Sequence, residues 1–104
     1  MPYHIAIAFE TDEIDPVSDA LERLTGVLRE GHESSYLGVY DLFRLPEKVK
    51  IKYNFVWEQD AWDYPEHKDY QVLLVAENTE RPEYIESLAS QLGFESTVVE
   101  RKKW

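Results

Sequence analysis

The chain has no cysteine. That absence excludes disulfides, thiolate zinc sites, iron–sulfur clusters and cysteine nucleophiles together. Glycine is scarce, with Gly26, Gly31, Gly38 and Gly93 the whole complement. None of these falls in a G-x-G-x-x-G or G-x-x-x-x-G-K pattern, so no recognised phosphate-cradling loop is present. Ser34-Ser35 likewise stand outside the Gly-x-Ser-x-Gly elbow of a serine nucleophile. Long apolar runs are missing as well. No stretch approaches the ~18 residues of a membrane span, and Met1-Pro2-Tyr3-His4 lacks the basic and apolar regions of a secretory signal. A soluble, cytoplasmic protein is therefore expected. Basic residues are few: 11 Lys and Arg against 21 Asp and Glu leave a net charge of −10. Direct binding to nucleic acid or to an anionic membrane is disfavoured by that balance.

Histidine is thinly spread, at His4, His32 and His67, so no local His-x-x-x-His clip exists. Asp60, Asp63, Glu66 and His67 are close in sequence but lack the glycine and the ligand spacing of a calcium-binding EF-hand. Neither a dedicated metal site nor a cofactor is expected, and no residue is singled out as catalytic. His4 and His32 at element ends could meet carboxylates as an acid–base pair, although exposed or capping roles explain them more simply.

What the sequence does hold is core material. A hydrophobic content of 43% in 104 residues suffices for a single domain that buries about two-thirds of its unfolded surface. Residues 3–10 read as a strand covered on both sides, with Ile5, Ile7 and Phe9 on one face and alanines on the other. Asp15-Pro16 reads as an N-cap with proline at the first helical position. Val17, Ala20, Leu21, Leu24, Val27 and Leu28 then recur at helical spacing until Gly31. Gly26 falls inside this helix, where it costs about 1 kcal/mol against alanine.

A second strand is expected from Tyr36 to Leu45. Pro46-Glu47 then turns it into the clearest period-two run of the chain, in which Val49, Ile51, Tyr53, Phe55 and Trp57 alternate with Lys48, Lys50, Lys52, Asn54 and Val56. One face of that strand should be buried and the other open to water. Residues 58–69 lose periodicity and read as a loop, 70–76 as a buried strand. Thr79 or Arg81 caps a second helix, with Pro82 in its first turn and Gly93 at its close, and a last strand covers roughly Ser96 to Arg101. The order β-α-β-β-β-α-β describes an α+β two-layer sandwich, a mainly antiparallel sheet with two helices on one face. It is close to the ferredoxin-like arrangement with one strand added.

Charge is segregated along this frame. Residues 10–33 hold eight acids against two bases, and residues 57–70 five against one, whereas residues 44–52 hold four bases and one acid. Helix capping and surface solvation account for many of the acids, and edge defence for the lysines. The segment from Trp57 to Tyr70 needs more than that, because it interleaves four aromatics with five carboxylates. Trp57 and Tyr70 read as strand-end core residues, while Trp62 and Tyr64 either fold back as a lid or stay exposed as contact anchors. Trp and Tyr dominate interface hot spots, and a ring of carboxylates steers a basic partner.

Trp62, Tyr64, Asp60, Asp63, Glu66 and His67 are accordingly the candidate partner-binding residues. The expected function is a non-enzymatic module, inhibitor- or immunity-like in its sharpest form, that engages a basic protein. The alternative is a small homo-oligomeric enzyme or ligand sensor, a homodimer for example, with a pocket between helices and sheet. Lys50, Lys52 and Asn54 on the open strand face would then meet an anion or a second subunit.

Overall fold

A computed structural model describes residues 2–34 and 38–103, Glu58 by its backbone. The elements in chain order are β1 (Tyr3–Phe9), α1 (Ile14–Thr25), β2 (Glu30–Ser34), β3 (Gly38–Arg44), β4 (Lys48–Tyr53), β5 (Phe55–Val56), β6 (Ala61–Trp62), β7 (Val72–Thr79), α2 (Pro82–Ser90) and β8 (Ser96–Lys103). Six strands form one sheet in the order β2-β3-β4-β7-β1-β8, each neighbouring pair antiparallel. β5 and β6 make a separate small hairpin. The molecule is thus α+β, as the alternating strands and amphipathic helices led one to expect.

Period two in the strands supplies one side of the core. Ile5, Ile7 and Phe9 of β1, Val49 and Ile51 of β4, and Val72, Leu74 and Ala76 of β7 join a single cluster. Ile14, Val17 and Leu21 of α1 and Ile85, Leu88 and Ala89 of α2 belong to the same cluster. Each such aliphatic side chain contributes about 1.5–3 kcal/mol on leaving water. The other parity of β1 and β7, with Ala6, Ala8 and Leu73 fully buried, belongs to the opposite face of the sheet.

Several expectations are corrected. α1 begins at Ile14 and not at Pro16, with Glu13 in the N-cap position and extended. Proline is tolerated within the first turn because the N–H groups there have no helical partner anyway. The helix stops at Thr25, and Gly26, expected inside it, is the left-handed cap at φ 72°, donating its N–H to the Glu22 carbonyl at 2.8 Å. A side chain pays a steric penalty in that conformation, so glycine is where the helix ends. Val27 and Leu28 therefore leave the helical stripe, and Leu28 is 77% exposed. Arg29 then clamps the end of α1. Its Nε and backbone N–H donate to Glu22 Oε2 at 3.0 and 2.9 Å, and its Nη2 pairs with Asp19.

β2 was not legible as a strand, since Glu-Gly-His-Glu-Ser has no apolar alternation. Its backbone is recruited by β3, with Glu30 opposite Leu42 and His32 opposite Tyr40, and its polar side chains suit an unpaired edge. β3 starts at Gly38, so the Tyr36 and Leu37 expected at its beginning lie outside the described residues. β4 ends at Tyr53 rather than Trp57, and α2 closes before Gly93. The final strand both pairs with β1 and forms the second edge. Above all, the lysine face of β4 is open only at its start: Lys48 is exposed and Lys50 half-buried, but Lys52 is 1% exposed and Asn54 is fully buried. The reason is the connection that follows.

Candidate functional site

The connection from Asn54 to Gln71 is organised by one side chain. The Asn54 amide Nδ2 lies 3.2, 3.2 and 3.1 Å from the carbonyls of Tyr64, His67 and Tyr70, and its Oδ1 accepts the Tyr64 N–H at 2.8 Å. Its backbone takes part too, donating to the Gln71 carbonyl at 2.7 Å and accepting from Asp63 at 2.8 Å. A buried amide with every group paired fixes a loop conformation that a hydrophobic residue could not. Lys52 adds a second tie. Its ammonium pairs with Asp63 and donates to the Tyr53 carbonyl at 2.9 Å, which allows a charged group to sit out of water. The third tie crosses the sheet. Tyr64 donates its hydroxyl to Glu100 Oε1 on β8 at 2.5 Å, and the His4 Nε2 lies 3.3 Å from the same oxygen. Burial, reinforced by the Glu100 carboxylate, pushes the Tyr64 phenol well above its ordinary range, so it stays a donor.

The start of this connection is built differently. β5 and β6 set Phe55 opposite Trp62 and buried Val56 opposite Ala61, and Asp60 turns the hairpin in the left-handed region at φ 49°. Phe55 meets Trp57 edge-on at 4.8 Å between ring centroids and Trp62 at 5.3 Å. Trp57 is nevertheless 81% exposed, a correction to its expected place in the core. These rings form one wall of a cleft of about 650 Å³. Val39, 49% exposed at the start of β3, and Tyr53 at the end of β4 also line it, and the exposed Asp12 and Glu13 at the entry to α1 form its rim. Glu13 accepts the Tyr53 hydroxyl at 3.0 Å, and burial together with this carboxylate raises the phenol.

Of the residues marked out from sequence, Trp62 alone lines this cleft. Asp60 is exposed in the hairpin turn and Glu66 in the short 3-10 turn Pro65–His67. Asp63 and Tyr64 are engaged by Lys52 and Glu100, and His67 packs edge-on against Tyr70 at 6.3 Å. Lys50 is half-buried with its ammonium 5.9 Å from the Tyr40 ring. Lys52 and Asn54 face the lid, so the structure does not gather the three into an open patch. His4 and His32 lie on strands separated by three others, roughly 19 Å at ~4.8 Å per strand, and do not meet. His32 instead stacks on Tyr40 at 5.3 Å.

Phe55, Trp57, Asp12 and Glu13 are cleft residues that sequence reasoning did not select. The period-two run did place Tyr53, Phe55 and Trp57 on one face, and the early acidic block did contain Asp12 and Glu13. Only the topology brings the entry to α1 beside the end of β4. Among the described residues no three His, Asp or Glu side chains are grouped to hold a metal ion, and no helix is long and apolar enough to cross a membrane. No protein-family model matches the chain, and no curated protein matches its sequence.

Proposed function

We propose that the chain is a non-enzymatic acidic binding module that engages a basic protein, in the manner of an inhibitor or immunity protein, through the cleft between the β5–β6 hairpin and the entry to α1. One observation carries this reading: Trp57 stands 81% exposed in a cleft rimmed by Asp12 and Glu13. A lone exposed aliphatic is ordinary, but an exposed indole contiguous with Phe55, Trp62 and Val39 makes the kind of apolar centre with a polar rim that protein interfaces use. The net charge of −10 supports it, because a field of that sign raises the rate of encounter with a cationic surface.

The finer architecture belongs to the same proposal. The strand order β4-β7-β1-β8, with α1 joining β1 to the β2-β3-β4 meander and α2 joining β7 to β8, fits a ferredoxin-like unit extended by β3 and β2. The shared core of α1 and α2 supports both helices lying on one face. That arrangement hosts many unrelated functions and adds nothing to the choice between them.

The test is capture from lysate by the tagged chain at low and at high salt, in parallel with W57A. The reading expects a basic protein held at low salt, released at high salt and lost with W57A, while the variant keeps a cooperative melt. Equal capture by W57A, or no specific capture at either salt, would overturn it. A second reading, a small-molecule sensor, is favoured by the cleft volume of about 650 Å³, which falls within the usual range of ligand sites. A rise in melting temperature with a metabolite, unaccompanied by protein capture, would select it.

A further inference from the structure

The geometry points to the chemical group the cleft receives: we infer that it seats a guanidinium, an arginine side chain presented by the basic partner. This inference rests on the cleft being a protein-binding site and names its anchor.

The first ground is the pairing of charges within the chain. Arg29, Arg44, Arg81 and Arg101 are each held by the chain's own carboxylates, and Lys52 by Asp63. Asp12 and Glu13 have no cationic partner among the described residues, and both border the cleft. A carboxylate pair beside an apolar wall favours a cation over a neutral group. It also offsets the partial positive charge of the α1 N-terminus, next to which both residues sit.

The second ground is the wall itself. Phe55, Trp57 and Trp62 meet edge to face, and Trp57, being largely exposed, leaves its indole open to stacking. Indoles are the strongest cation–π partners. The molecule already uses the interaction elsewhere, with the Arg81 guanidinium 3.9 Å from the Tyr84 ring centroid, and within the wall the Lys68 ammonium lies 5.6 Å from the Trp62 centroid, which leaves Trp57 as the ring that receives the ligand.

The third ground separates arginine from lysine. An ammonium is compact and strongly hydrated, whereas a guanidinium is planar, weakly hydrated, stacks flat on a ring and still offers a donor fork to a carboxylate. A cleft with an aromatic wall and acids at its rim satisfies both demands at once. The volume of about 650 Å³ leaves space for the residues flanking the arginine.

The test is a titration of the full chain with three capped tripeptides, Gly-Arg-Gly, Gly-Lys-Gly and Gly-citrulline-Gly, followed by the indole N–H signals of Trp57 and Trp62 in NMR spectra. The expected result is saturable shifting of both signals by the arginine peptide, at least threefold tighter than lysine and tenfold tighter than citrulline. The D12N/E13Q variant should lose most of that binding while it still unfolds in a single cooperative transition. Equal affinity for lysine would reduce the site to charge alone, and equal affinity for citrulline would reduce it to stacking alone. Either result overturns the inference, as does the absence of saturable shifts. Salt-sensitive, Trp57-dependent capture of a basic protein alongside equal lysine and arginine affinities would remove the arginine and leave the binding module. Loss of both removes both.

Discussion

The two halves of the connection between β4 and β7 are made of the same residue types and do different things. In the later half Asp63 has Lys52, Tyr64 has Glu100, and the backbone carbonyls of Tyr64, His67 and Tyr70 converge on Asn54. In the earlier half the rings of Phe55, Trp57 and Trp62 meet one another and, at Trp57, water, and Asp12 and Glu13 beside them have no cationic partner among the described residues. Aromatic and acidic composition therefore does not distinguish a lid from a contact surface. What distinguishes them is whether the fold itself supplies the complement.

The largest expected effect of breaking this contrast is at Asn54. Replacing it with alanine leaves the carbonyls of Tyr64, His67 and Tyr70 without their donor, and N54A should cost about 3 kcal/mol in chemical denaturation. A loss below about 1 kcal/mol would mean that the loop holds itself. The second effect lies at the far end of β4, away from the cleft. Glu47 accepts from Thr79 at 2.7 Å and from Arg81 at 2.7 and 3.2 Å. The Arg81 guanidinium, opposed by burial and helped by the Thr79 hydroxyl, lowers the Glu47 carboxyl from 4.5 to about 2.

Because the folded value lies below the unfolded one, this stabilisation is complete above about pH 4.5 and is lost as pH falls toward 2. Arg81 is 41% exposed, so screening reduces the contribution to about 2 kcal/mol at neutral pH. E47Q should lose that amount, flatten the acid limb of the stability curve and leave partner capture intact. A variant with the wild-type acid limb would contradict the assignment.

A smaller effect belongs to Tyr64. Y64F removes one hydrogen bond to a half-exposed carboxylate, and a loss of about 1 kcal/mol with unchanged binding is expected by thermal melting and titration. The smallest effect on stability is at Trp57, where W57A should change unfolding free energy by less than about 0.5 kcal/mol, as surface substitutions do. Its effect on binding should be the greatest of the four. A large loss of stability would assign the indole to the fold.

How much of this was readable beforehand depended on where period and partner coincide. The alternation from Val49 to Tyr53 and the stripe of Val17 and Leu21 identified β4, α1 and the core, though not the ends of either element, because burial imposes those periods directly. β2 was invisible because its ladder with β3 is built on the backbone and its polar side chains carry no period. α1 was overextended because Val27 and Leu28 keep helical spacing past a glycine that ends the helix. The site was half readable: the stretch from Trp57 to Tyr70 was picked out for its composition. Which of its residues face a cleft follows from Asn54 turning the chain back over β4 and from the entry to α1 lying across from Tyr53. Both are long-range pairings, 10 to 40 residues apart in sequence, and no local pattern announces them.

The most direct test of the division within this connection is native-state hydrogen exchange followed residue by residue. The amides of Asn54, Asp63 and Tyr64 donate to Gln71 and Asn54 within the lid, and should exchange slowly, with opening free energies near that of global unfolding. Those of Trp57, Glu58 and Gln59, beside the exposed indole, should exchange orders of magnitude faster. Equal protection along the whole connection, or fast exchange at Tyr64 with slow exchange at Trp57, would contradict the account.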